Sequence, residues 1–114
     1  MIPLVDLAAQ HREIAPEVDA GFASVMARTA FVAGEEVQAF EQELAAFVGV
    51  AHCVGVASGT DALELMLRAI GIGAGHEVIV PANTFAATAL AGARAGAEPV
   101  FTDCDPDHHL IDVA

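Results

Sequence analysis

Apolar residues recur along this chain with two different periods, and the alternation of those periods lays out its elements. From about residue 10 to residue 28, Ile14, Val18, Phe22, Val25 and Met26 return every three or four positions, which predicts a helix. Pro16 is tolerated best in a first turn, so that helix is expected to begin near it. Residues 29–34 read as a linker. A second helix is expected over Glu35–Val48, with Val37, Phe40, Leu44 and Phe47 as its apolar stripe. Glu35 and Glu36 fall in its first turn, where the helix dipole favours them, and Gly49 ends it. Residues 53–57, CVGVA, are short, apolar and valine-rich, as suits a buried strand. A third helix follows, with Leu63, Met66, Leu67 and Ile70 on one face and Gly71 as its stop. Glu64 and Arg68 stand at i and i+4 in the favourable orientation for an ion pair. Residues 77–80 and 98–102 read as two more strands around an alanine-rich helix that ends near Ala95. The second half thus alternates strand, helix, strand, helix, strand, the mark of a parallel sheet with helical crossovers.

The turn Ser58-Gly59-Thr60 joins the first of these strands to the third helix. A strand that feeds a helix through small residues leaves backbone N–H groups free at the positive end of the helix dipole, a setting that favours a bound phosphate. The plainer reading of the same residues is an N-cap, supplied by Ser58 or Thr60. Ligands of parallel sheets gather at the carboxyl ends of the strands, and Asn83-Thr84-Phe85 is expected at such an end as well.

Charge narrows the partners. The chain has 114 residues, enough for one small domain, with 16 acidic against 4 basic side chains and a formal charge of −12. Such a balance argues against a nucleic-acid partner. All four cations are arginines (Arg12, Arg28, Arg68 and Arg94), so the sequence contains no lysine. No run of about 18 apolar residues is present to span a membrane. The N-terminus lacks the basic stretch and apolar core of a signal peptide, which makes a cytoplasmic protein the expectation. Cys53 and Cys104 are too few for a disulfide framework and read as buried free thiols.

Three other patterns carry less. Gly71-Ile72-Gly73-Ala74-Gly75 follows a helix and precedes a strand, the reverse of a dinucleotide-binding loop, and reads as a helix-terminating turn. Asp103, Asp105 and Asp107 have the spacing of a calcium loop, but His108 and Ala114 stand where glycine and glutamate are needed. No metal site is expected there, at His108-His109, or at the isolated His11, His52 and His76.

Taken together, IPLVDL at residues 2–7, FVAGEEVQAFEQELAAFVGV at 31–50 and the long segment 56–107 resemble the N-terminal part of the DegT/DnrJ/EryC1/StrS aminotransferases. The resemblance implies an α/β fold: the N-terminal part of the large domain of an aspartate-aminotransferase-like, fold type I enzyme, with a mostly parallel sheet and helical crossovers, incomplete in this chain. Residues 1–34 would be an extended segment, helix and linker, and 35–114 the start of the large domain. The implied cofactor is pyridoxal 5'-phosphate (PLP). The Gly59 and Thr60 amides would hold its phosphate, with Ser58 shaping the turn. Phe85 would stack on the pyridine ring, with Asn83 and Thr84 in support, and residues 31–34 would border a sugar pocket.

The implied reaction moves an amino group from an amino acid, typically glutamate, to a nucleotide-linked keto-deoxysugar, in a homodimer. The family's catalytic lysine, its acidic partner for the pyridinium nitrogen and its small domain would lie beyond residue 114. This chain by itself is therefore expected to be inactive, with exposed apolar faces and unpaired strand edges. Two other readings stand beside this one: another fold type I PLP enzyme, and a non-catalytic sensor, regulator or remnant with the same fold.

Overall fold

Asp6 opens the first helix. In the structure, a computed structural model that describes residues 4–112, Asp6 Oδ1 accepts the Ala9 N–H at 3.0 Å and caps α1 (Leu7–Arg28). The helix therefore begins well before Pro16, which lies inside it, because Asp6 supplies a cap that Pro16 cannot. Arg28, in the last turn of α1, donates from Nη1 to Glu35 Oε2 at 2.7 Å and pairs with Glu36 Oε1 through Nη2. These contacts tie α1 to the first turn of α2 (Glu35–Val48), which starts and stops where the pattern places it.

The described residues form two compact units that divide between Gly55 and Val56. In the first, the expected stripe of α2 is largely uncovered: Leu44 is half-buried, but Val37, Phe40 and Phe47 are exposed, Phe47 to 88%. Ala45 alone of its side chains is buried.

In the second unit, α3 (Gly59–Ala69) leads to β1 (Glu77–Pro81), α4 (Ala87–Ala95) and β2 (Glu98–Thr102). The strands β1 and β2 pair in parallel, with Glu77 opposite Glu98 and Pro81 opposite Thr102, and α4 is their crossover. The core lies between α4 and the strands, where Val80, Ala91, Gly92, Ala95 and Ala97 are buried. Small residues on α4 let it approach the sheet closely; a Cβ on Gly92 would already sit 3.5 Å from Val78 Cβ. The opposite face of the sheet is bare, with Ile79 and Phe101 more than 60% exposed. Apolar residues on both faces are the composition of a sheet covered on both sides.

Two further expectations need correction. Residues 53–57 form no strand, since a strand exists only through a ladder partner; the Gly55 N–H is taken instead by Glu41 Oε1 at 2.7 Å. The helix α3 leaves most of its stripe uncovered too: Leu63, Met66 and Ile70 are exposed, and only Leu67 of the four is half-buried. Its half-buried residues are Thr60, Asp61, Ala62, Glu64 and Leu67, and it packs on α4. The glycine-rich stretch after α3 is a helix stop, as read. Gly71 adopts φ 84°, its N–H reaches Arg68 O at 3.0 Å, and Ile72 N–H reaches Leu67 O at 2.9 Å. No helix among the described residues is long and apolar enough to cross a membrane.

Candidate functional site

Ser58 is the N-cap of α3, which decides between the two caps the sequence allows. With extended backbone (φ −159°, ψ 164°), it accepts the Asp61 N–H on Oγ at 3.1 Å and donates its hydroxyl to Asp61 Oδ2 at 3.0 Å. The next amide, Ala62 N–H, closes the first helical bond on Ser58 O. Gly59 and Thr60 are left as the first two helical residues, and among the described residues neither N–H has an acceptor. Gly59 is exposed, and a Cβ on it would meet nothing within 4 Å. The Ser58 oxygen is thus occupied in shaping the turn, while the two following amides are open to an anion.

Around this helix start stands a charge network that sequence reasoning found only in part. The expected Glu64–Arg68 pair is present at 3.0 Å. Arg94, in the last turn of α4, adds two contacts: Nε to Glu64 Oε2 at 2.8 Å and Nη1 to Asp61 Oδ1 at 3.5 Å. Arg68 Nη2 in turn donates to the Arg94 carbonyl. The signal that could have suggested this was the placement of Arg68 and Arg94 in the last turns of two consecutive helices, α3 and α4.

At the carboxyl end of β1, the ladder runs one bond further, Ala82 N–H to Thr102 O at 2.9 Å. The Asn83 N–H then donates to Cys104 Sγ at 3.4 Å, so the segments after the two strands meet here. Thr84 and Thr88 share a hydroxyl hydrogen bond of 2.9 Å across the start of α4. Phe85 is 82% exposed. Both cysteines are free, as expected, but half-buried rather than buried. After β2, Asp105 Oδ1 accepts from His108 N–H at 2.7 Å and Asp107 N–H at 3.0 Å, and lies 2.9 Å from His108 Nδ1. These bonds, the His108 amide foremost, hold the Asp105 carboxyl below its ordinary pKa. Asp105 is the anchor of a turn. Among the described residues no cluster of three or more metal-binding side chains occurs.

The structure therefore brings Ser58, Gly59 and Thr60 together at one helix start and sets Asn83 and Phe85 on the β1–α4 connection, each group held by its own local bonds. Residues 31–34 lie in the other unit, between α1 and α2.

Residues 12–114 match the family model of the DegT/DnrJ/EryC1/StrS aminotransferase family. A UDP-N-acetyl-3-dehydro-alpha-D-glucosamine 3-aminotransferase of Acidithiobacillus ferrooxidans is 47% identical over 113 residues, 99% of this chain and 31% of that protein. The erythromycin biosynthesis sensory transduction protein EryC1 of Saccharopolyspora erythraea is 45% identical over 113 residues, again 99% of this chain and 31% of the relative. Among solved structures, a DegT DnrJ EryC1 StrS aminotransferase from Brucella abortus superposes with a TM-score of 0.90 at 44% identity, covering 99% of this chain and 30% of that one. The chain spans about a third of the length of the relatives it matches. On its sequence and on its fold, it belongs to the DegT/DnrJ/EryC1/StrS aminotransferase family.

Proposed function

We propose that these residues are the N-terminal portion of a PLP-dependent aminotransferase that moves an amino group from an amino acid to a nucleotide-linked keto-deoxysugar. Aminotransferases of the family are PLP-dependent. The observation that carries the reading is the helix start at Ser58-Gly59-Thr60, with two amides that have no acceptor among the described residues and open space beside Gly59. A phosphate dianion suits that pair of donors and the dipole behind them. When bound, PLP supplies the electron sink for amino transfer.

The residues of this chain have other tasks. The amides of Gly59 and Thr60 hold the phosphate, and Ser58 fixes their direction through its two bonds to Asp61. Phe85 offers an exposed aromatic face to the cofactor ring and helps keep water from it. Asn83 supports that loop through its N–H bond to Cys104. None of them transfers a proton, and a sequence without lysine cannot hold the cofactor covalently. We place the division of roles at residues 34 and 35, with 35–114 opening a fold type I large domain. The amino donor we assign is glutamate, the assembly a homodimer and the compartment the cytoplasm.

A second reading has one observation in its favour, a relative named as a sensory transduction protein at 45% identity. In that reading the fold is kept for sensing and the chemistry is lost. The sequence of the gene downstream separates the two. An in-frame continuation that carries a lysine after a strand supports the enzyme, and a stop codon directly after Ala114 overturns it. A crystal structure of the full-length protein with PLP should place the phosphate on the Gly59 and Thr60 amides; a phosphate bound elsewhere would contradict the assignment.

A further inference from the structure

We infer that Arg94 is a positioning residue for the phosphate cradle, acting by masking the charge of Asp61. The inference rests on the cofactor reading above. Asp61 lies in the first turn of α3, where a carboxylate stabilises the helix but occupies the same positive pole that an incoming anion uses. Its two oxygens have separate partners. Oδ2 accepts the Ser58 hydroxyl at 3.0 Å, which puts the carboxylate at the mouth of the helix beside the free amides. Oδ1 faces Arg94 Nη1 at 3.5 Å. Without that guanidinium, a phosphate at Gly59 and Thr60 would meet an unscreened like charge within a few residues of its own donors.

Arg94 is held for this task at both ends. Its Nε is fixed on Glu64 at 2.8 Å, and its carbonyl receives a hydrogen bond from Arg68, which is itself paired with Glu64 at 3.0 Å. The neighbouring Ala91, Gly92 and Ala95 are buried, so the backbone that carries Arg94 is seated in the core. The four charged groups Asp61, Glu64, Arg68 and Arg94 sum to zero, in a chain whose formal charge is −12 and which has only four cations. Half of its positive charge stands at this one junction of α3 and α4. An ordinary helix-to-helix clamp would need only the Glu64 contacts; the reach to Asp61 extends the network to the helix start where the anion is expected.

The test measures dissociation constants of PLP and of pyridoxal, which lacks the phosphate, by equilibrium dialysis against the full-length protein that carries residues 1–114. R94Q should weaken PLP binding about five-fold and leave pyridoxal unchanged, R94K, which keeps the charge but not both contacts, should lose less than R94Q, and the D61N/R94Q pair should recover wild-type affinity. D61N alone, which keeps the backbone cap, should tighten PLP binding by a similar factor, and it decides the matter should R94Q fail to fold. The inference is overturned if R94Q leaves PLP binding intact, if it weakens pyridoxal equally, or if D61N changes nothing. A wild-type protein that binds PLP no better than pyridoxal overturns the cofactor reading itself, a distinct result.

Discussion

The backbone N–H of Asn83 donates to Cys104 Sγ at 3.4 Å, so the loop that follows β1 is pinned to the segment that follows β2. Sulfur is a weak acceptor, and its loss leaves Asn83 N–H to water in an exposed loop. Cys104→Ala is therefore expected to cost less than about 1 kcal/mol of stability while it frees the loop that carries Phe85. Hydrogen exchange at the Asn83 amide should accelerate relative to the β1–β2 ladder amides; equal protection in both proteins would rule out the pin.

Ser58→Ala removes the side-chain acceptor for Asp61 N–H and the donor to Asp61 Oδ2 together. The loss of the cap is expected to destabilise α3 by about 1 kcal/mol. Thermal unfolding in the full-length protein checks this, with Ser58→Asp, another good N-cap, as the variant that should retain most of the stability.

The pH response of the turn after β2 follows from Asp105. Its carboxyl is held below its ordinary pKa by the His108 amide first, then by the His108 ring, with the Asp107 amide adding to them. A depressed folded-state pKa means that the stabilisation is present above the unfolded pKa and is lost as pH falls through the folded one. The turn should stay closed at neutral pH and open only below the usual carboxylate range. The amide shifts of Asp107 and His108 should share a transition there that disappears in Asp105→Asn; persistence of that transition in the variant would contradict the shared anchor.

The bare apolar faces make a further prediction. Phe47 on α2 and Ile79 and Phe101 on the outer face of the sheet are exposed, and patches of this kind mark surfaces that other structure covers. The 114-residue chain produced alone should self-associate and bind a hydrophobic dye. A monomer with a sharp cooperative melt would contradict this.

How far the sequence alone reveals the fold depended on where each element finds its partners. The helices α2 and α3 were legible because their caps and stops are local: Glu35 and Glu36 at one start, Ser58 at another, Gly49 and Gly71 at the ends. The crossover of β1, α4 and β2 was legible for a similar reason, since period and turn residues change within a few positions. The segment 53–57 was not, because a strand is decided by its neighbour and Glu41 supplied the hydrogen bond instead. Burial also failed to follow pattern: Leu63, Met66 and Ile70 form an apolar stripe, yet α3 meets α4 through Asp61, Glu64 and Arg94. At the candidate site, Ser58-Gly59-Thr60 could be read from chain order alone. The role proposed for Phe85 came only with the family resemblance, and the approach of Arg94 to Asp61 came only with the structure.

Gly59→Pro asks whether the start of α3 holds the phosphate. Gly59 is the first residue of α3, a position where proline is well accepted, and the extended Ser58 before it suits a following proline. The substitution thus deletes one N–H donor and leaves the helix in place. In the full-length protein with unchanged helical circular dichroism, the dissociation constant for PLP is predicted to rise about tenfold or more, as befits a lost hydrogen bond to a charged group. An unchanged constant would contradict the account, because the phosphate would then be held somewhere other than the start of α3.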